Sequence, residues 1–209
     1  SVATERGYAT PPRVGAAGGI ATPASAAAAY SMGAAYVVTG SVNQACIESG
    51  SSDVVRALLA EAGPGDVGMA PAADMFELGV ELQVLTRGTL FAVRARRLYE
   101  LYRSHESLEE LPAKDLQALE KTYFRSSLDE AWSACAAYWR DREPGLLERA
   151  EADPKQKMAL LFRAYLGLSS RWANSGVQDR RLDFQVWCGP SMGAFNEWAA
   201  GSPLEAPGA

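Results

Sequence analysis

The stretch PRVGAAGGIATPASAAAAYSMGAAYVVTGSVNQ, Pro12 to Gln44, writes one pattern twice. Arg13-Val14-Gly15-Ala16 is a short apolar strand that runs into Ala17-Gly18-Gly19-Ile20. Thr22 suits a helix N-cap and Pro23 the first helical position. Ala24 to Met32 is therefore predicted to be helical, with Gly33 as its stop. Ala35-Tyr36-Val37-Val38 reads as a second buried strand, Thr39-Gly40-Ser41 as a second glycine turn, and Val42 to Glu48 as a second helical start.

Strand, glycine turn and helix, repeated, is the signature of an α/β fold with parallel strands. Both turns then leave the same edge of the sheet. Glycine lets backbone N–H groups approach an anion with no Cβ in the way, and a helix start adds free donors and a positive dipole end. Two such turns on adjacent strands converge on one phosphate, as the loops after strands 7 and 8 of a (β/α)8 barrel commonly do. Taken alone, Gly18-Gly19 reads equally well as a tight βα connection. No Walker loop and no G-x-G-x-x-G is present, which argues against nucleoside triphosphates and a Rossmann site.

The 209 residues, 48% of them hydrophobic, suffice for a real core. A net charge of −5 argues against nucleic-acid binding, and no run approaches the roughly 18 apolar residues of a membrane span. Cys46, Cys135 and Cys188 are far apart and form no C-x-x-C, which fits thiols of a reducing cytoplasm better than a disulfide frame or zinc site. With His105 as the only histidine, no multi-histidine metal centre is expected in this chain. His105 itself lies in a polar stretch and reads as a surface residue rather than a general acid.

Beyond the doubled unit the chain is mostly helical. Ser51 or Ser52 caps a helix from Asp53 to Ala62. Asp74 to Leu85 is predicted to be helical from Met75, Leu78, Leu82 and Leu85, with Asp74 and Glu77 as first-turn charges. Thr89 is placed as the cap of Leu90 to Arg103. Ser127 with Glu130 forms a capping box for Leu128 to Arg142. Pro144 opens a short helix to about Ala152, and Asp153-Pro154 opens a long one stopped at Asn174-Ser175-Gly176. Leu182 to Cys188 alternates as a short strand or extended segment, and Ser191 to Ala199 is a final helix. Residues 201–209 read as a frayed tail.

VGAAGGIATP (from Val14), VVTGSVNQACIESGSSD (from Val37), APAADMFELGVELQVLTRGTLF (from Ala70), LYELYR (from Leu98), LGLSSRWANSG (from Leu166) and WCGPSMGAFNEW (from Trp187) carry a resemblance. They closely resemble the trans-acting enoyl reductases of polyunsaturated fatty acid synthases and trans-acyltransferase polyketide synthases. These belong to the wider nitronate monooxygenase (2-nitropropane dioxygenase) group of flavin barrels. The resemblance runs from about Pro11 to Gly201. It implies an FMN-dependent, NADPH-using reductase of enoyl thioesters held on an acyl carrier protein. A nitronate monooxygenase and a non-catalytic helical docking module are the alternatives.

On that resemblance the chain is the C-terminal portion of an FMN-binding (β/α)8 barrel. Residues 1–65 supply the last two βα units, 66–200 a mostly helical subdomain covering the active-site mouth, and 201–209 the tail. Ser1 is not a natural initiator, and the family's first six strands precede Arg13. The rest of the barrel is expected upstream, removed or as a separate chain. The family's catalytic histidine is expected there too, so this chain alone is not expected to turn over. The FMN phosphate falls to backbone N–H groups of Gly18, Gly19, Gly40 and Ser41, with the hydroxyl of Thr39 or Ser41 adding a bond. Asn43 and Gln44 either face the flavin or support the loop.

Arg94, Arg96 and Arg97 crowd one helix, with Arg87 and Arg103 at its ends. They read either as a solvated face paired with Glu100 and nearby glutamates, or as a docking patch for the acidic carrier protein. Oligomeric state is left open, a homodimer included.

Overall fold

The computed structural model describes residues 2–10 and 12–205. Of the tail expected over 201–209, residues 206–209 lie outside the described residues; Pro203–Glu205 form one 3-10 turn. The elements, in chain order, begin with a one-turn helix α1 (Val2–Glu5), β1 (Ala16–Ala17), α2 (Pro23–Ser31) and β2 (Val37–Val38). Two 3-10 turns, Ser41–Ala45 and Ile47–Ser49, lead to α3 (Asp53–Ala60). A hairpin of β3 (Val67–Pro71) and β4 (Glu81–Leu85) follows, then α4 (Phe91–Ser104), α5 (Ala113–Ala118), α6 (Leu128–Arg140), α7 (Pro144–Ala152), α8 (Pro154–Ser175) and α9 (Ser191–Ala199).

β1 and β2 pair in parallel, Ala16 opposite Val37 and Ala17 opposite Val38. They are shorter and more exposed than expected: Val38 is 52% and Val14 73% exposed. Each strand has one hydrogen-bonded neighbour in a two-stranded sheet, so one layer of packing is all it receives. α2 forms where its caps dictate. Thr22 Oγ1 accepts from Ser25 N–H at 3.3 Å, Ser25 Oγ accepts from Thr22 N–H at 3.0 Å, and Pro23 opens the first turn. Only Ala29 of this helix is buried. The helical start expected at Val42 is instead two 3-10 turns separated by the extended Cys46.

The helix expected over Asp74 to Leu85 is not there. Val67–Pro71 and Glu81–Leu85 pair antiparallel, with a single 3-10 turn, Phe76–Leu78, at the hairpin end. Glu81-Leu82-Gln83-Val84 alternates with period two, and its inward residues meet a third extended segment. Leu85 N–H donates to Val186 O at 2.9 Å, Cys188 N–H to Gln83 O at 3.3 Å, and Val84 bridges Trp187. The partner for this strand comes from the far end of the chain. Gly79, at φ +70, leaves no room for a side chain: a Cβ there would lie 2.2 Å from the Tyr99 hydroxyl. With the expected α-helix absent, Glu77 lies in the 3-10 turn and pairs with Arg163 at 3.1 Å.

The remaining helices form where capping and periodicity place them. Ser127 and Glu130 make the reciprocal box of α6, and Asp153 Oδ1 accepts from Lys155 N–H at 2.8 Å at the start of α8. Helix α5 continues into a π-helical turn, Leu119–Phe124. Thr89 sits one residue before the cap position of α4, where its Oγ1 accepts from Phe91 N–H at 3.0 Å. α8 is the hub: Met158, Leu160, Leu161, Phe162, Tyr165 and Leu166 are all buried, the mark of a helix enclosed on most sides.

Around α8 lies the larger apolar core, with Phe76, Phe91, Leu98 and Tyr123. A second core joins Val55, Leu58 and Leu59 of α3 to Leu85, Phe184, Val186 and Met192. It draws on residues from both sides of the boundary expected at 65. Asn196 of α9 ties these parts further, donating to Leu59 O and Ala62 O at 2.8 Å each. Among the described residues no helix is long and apolar enough to cross a membrane.

Candidate functional site

The parallel register fixes where the two glycine turns begin. Ala17 and Val38 are register partners, so Gly18 and Thr39 leave the same edge one residue later. Gly18 (φ +86) and Gly19 (φ +70) occupy the left-handed region, and the space a Cβ would take at either is empty. Neither of their N–H groups, nor that of Gly40, bonds another described residue. The α2 N-terminus contributes less than expected. Its own capping box uses the amides of Ala21, Thr22 and Ser25.

The two hydroxyls beside the second turn differ. Thr39 Oγ1 donates to Asn43 Oδ1 at 2.9 Å, while Asn43 Nδ2 donates to Thr39 O at 3.0 Å. Asn43 thus supports the loop. Ser41 Oγ accepts from Gly189 N–H at 2.8 Å, a contact across 148 residues. Gln44 is half-buried and its carbonyl accepts from Ser49 Oγ at 3.0 Å. A glycine-lined edge with unbonded amides and one serine hydroxyl is a donor set suited to a phosphate.

The arginines of α4 part company. Arg94 turns inward to Asp183, which is fully buried. Tyr165 donates its hydroxyl to Asp183 Oδ1 at 2.7 Å, and Arg180 approaches Oδ2 at 3.3 Å. Arg180 also donates to Tyr123 O and Phe124 O, closing the π-helical turn, and stacks on Trp172 at 4.2 Å. Burial, reinforced by the Asp183 charge, pushes the Tyr165 hydroxyl far above its usual range. Burial would lower the Arg94 pKa, but Asp183 and Tyr165 outweigh it and raise it. Such a group is built to hold α4, α8 and the 178–183 turn together.

Arg97 pairs with Asp115 at 2.9 Å and Glu100 at 3.4 Å. Arg96 is exposed, donates to Met69 O at 3.2 Å, and has no carboxylate partner among the described residues. His105 Nδ1 lies 3.1 Å from Leu101 O and 3.0 Å from Ser104 Oγ, at the end of α4. Among the described residues no three His, Cys, Asp or Glu side chains gather as a metal site. Sequence reading missed Gly189 and Asp183 as contact residues. Asp183 gave no signal, while Gly189 lay within the Trp187–Trp198 motif, whose resemblance named no contact for it.

Comparison with known proteins adds to this geometry. A family model described as the inserted helical domain of acyl-carrier-protein S-malonyltransferase matches residues 105–184, the stretch from the end of α4 through α8. The chain is 52% identical over 195 residues to a component of the polyunsaturated fatty acid synthase of Thraustochytrium, covering 92% of this chain and 13% of that protein. It is 48% identical over 204 residues to the polyketide biosynthesis protein ThaF of Burkholderia thailandensis, covering 98% of this chain and 17% of that protein. Among solved structures it matches the enoyl reductase domain of MlnA, from the macrolactin biosynthesis cluster of Bacillus amyloliquefaciens. There the TM-score is 0.90 at 42% identity, over 98% of this chain and 46% of that one. The chain thus shares its fold with a part of an enoyl reductase domain and spans under half the length of each of these relatives.

Proposed function

We propose that this chain is part of an FMN-dependent, NADPH-using enoyl reductase acting on enoyl thioesters carried by an acyl carrier protein, in polyketide or polyunsaturated fatty acid biosynthesis. One observation carries the reading. In a chain that superimposes on an enoyl reductase domain, parallel β1 and β2 bring Gly18-Gly19 and Gly40-Ser41 to one edge with unbonded amides. On this reading β1 and β2 are the last two strands of a (β/α)8 barrel whose other strands, and whose catalytic acid, come from further residues.

When bound, FMN supplies the hydride chemistry that saturates the enoyl thioester, with NADPH as reductant. The residues of this chain hold it. Amides of Gly18, Gly19 and Gly40 bond the phosphate, and the empty space over Gly18 and Gly19 lets the anion come close. The helical body from α4 to α9 anchors this edge through Gly189 and closes over it. Arg96 and Arg97, on the outer side of α4, meet an acidic carrier and raise its association rate; Arg94, held by Asp183, has no share in that.

Gly19→Asp tests the cofactor assignment by placing a carboxylate against the phosphate. FMN affinity is expected to fall at least tenfold, read by flavin fluorescence on the apoprotein, with NADPH oxidation on an enoyl thioester falling alongside. Unchanged FMN affinity refutes the site. A colourless purified protein that binds a synthase partner favours a docking module instead.

A further inference from the structure

We infer that Arg142 and Arg171 read the 2′-phosphate of NADPH, with Tyr138 as the residue that positions both. The inference rests on the reductase reading above, which assigns no residue to telling NADPH from NADH. The two dinucleotides differ at one point, a dianionic phosphate on the adenosine ribose of the first and a hydroxyl on that of the second. Reading the difference calls for a cation that is not already paired. Arg94, Arg97, Arg125, Arg163 and Arg180 each meet a carboxylate. Arg142 and Arg171 are exposed and meet none among the described residues. They come from different parts of the chain yet share one ring. The Arg142 guanidinium lies 3.9 Å and that of Arg171 6.0 Å from the centroid of Tyr138, which is itself 40% exposed.

The arginines are oriented without being used up. Arg142 Nη1 donates to Tyr138 O at 3.0 Å, on the last turn of α6, and its other N–H groups have no acceptor among the described residues. The Tyr138 ring stands edge-on to Trp139 at 5.1 Å, and Trp139 packs against the larger core. Asp141 precedes Arg142 in sequence but does not pair with it, and Glu143 is taken by Arg149 at 3.9 Å. Two guanidiniums on one ring repel each other. A dianion between them removes that repulsion and gives each planar fork a pair of acceptors. In a chain of net charge −5 this is a local excess of positive charge. The patch also lies toward the end of α8 that adjoins the start of α3, just past the glycine-turn region. Ala173, two residues beyond Arg171, accepts through its carbonyl from Ser52 Oγ, the cap of α3, at 2.6 Å.

The test uses the FMN-loaded holoenzyme and two readouts. One is the ratio of kcat/KM for NADPH to that for NADH on an enoyl thioester. The other is calorimetric binding of adenosine 2′,5′-bisphosphate against adenosine 5′-monophosphate, which lacks the 2′-phosphate. Arg142→Ala and Arg171→Ala should each weaken NADPH and the bisphosphate about 10-fold, the low end for a hydrogen bond to a charged group. NADH, the monophosphate and kcat should stay as they were. Tyr138→Leu should act the same way by about 2- to 5-fold. Arg171→Lys, which keeps the charge but not the fork, should fall between Arg171→Ala and the wild type. Arg149→Ala, which removes an equal charge already paired with Glu143, should change neither readout. The inference is overturned if NADPH and NADH weaken together, if bisphosphate binding is unchanged, or if only the KM for a carrier-bound thioester rises, which would give these arginines to the phosphate of the carrier's arm. The reductase reading stands in each of those cases. A wild-type protein that takes hydride from neither dinucleotide overturns both.

Discussion

The glycine-turn region, residues 12–50, and the helical body, residues 53–200, are held by different forces. In the first, Tyr30, Met32, Tyr36, Val38 and Ile47 are all exposed, and α2 buries only Ala29. Apart from the long-range Ser41–Gly189 bond, its shape comes from bonds within the region: a capping box, two ladder pairs and the Thr39–Asn43 clasp. In the second, α8 is enclosed by two apolar cores and by the buried charge of Asp183. A region shaped by local bonds keeps its conformation one hydrogen bond at a time, and the body stands or falls as a unit. The exposed edge is also where free amides remain to bind something.

The contrast breaks most visibly at Asp183. Asp183→Ala leaves the buried Arg180 and the inward Arg94 without their carboxylate. Denaturant titration should show the body losing about 3–5 kcal/mol. A loss under about 1 kcal/mol would mean that packing alone holds α4 to α8.

Alkaline titration comes next. Burial pushes the Cys135 and Cys188 thiols up to about 11. A thiol whose folded pKa is raised binds its proton more tightly when folded. That stability is present below the ordinary thiol range and is lost as pH rises toward 11. The melting temperature should fall between about pH 9 and 11, and less steeply in Cys135→Ala. In the turn region, exposed Cys46 should react with a thiol reagent at pH 8 in the native state, while Cys135 and Cys188 wait for unfolding.

The smallest effect sharpens the comparison most. Ser127→Ala and Thr22→Ala remove equivalent caps from α6 and α2. The first should cost the whole body about 1 kcal/mol in a global melt. The second should only speed hydrogen exchange around residues 25 and 26, since α2 adds little burial to the cooperative unit. Equal global losses would show that α2 folds with the body.

The caps were legible because they are local. Thr22 with Ser25, Ser127 with Glu130 and Asp153 with Lys155 each act across two or three residues, so their neighbours in sequence suffice to read them. α9 was placed residue for residue as Ser191–Ala199. The β3–β4 hairpin was misread because Met75, Leu78, Leu82 and Leu85 also match a helical period. The alternation over Glu81–Val84 was too short to override it. Of the candidate site, the two glycine turns and their common edge followed from the doubled pattern. The different duties of Thr39 and Ser41 did not, since either hydroxyl has the same chemistry until its partners are known.

By itself the sequence determined the pieces: which runs are helical, where most of them are capped, that two short strands lie parallel, and that a glycine turn follows each. Those features depend on chemistry between neighbours. Only the tertiary structure decided that Arg94 faces Asp183 rather than solvent, that Val84 meets Trp187, and that Gly189 meets Ser41. Those contacts join residues 89, 103 and 148 positions apart. Chain entropy brings such residues together only after the cores have closed.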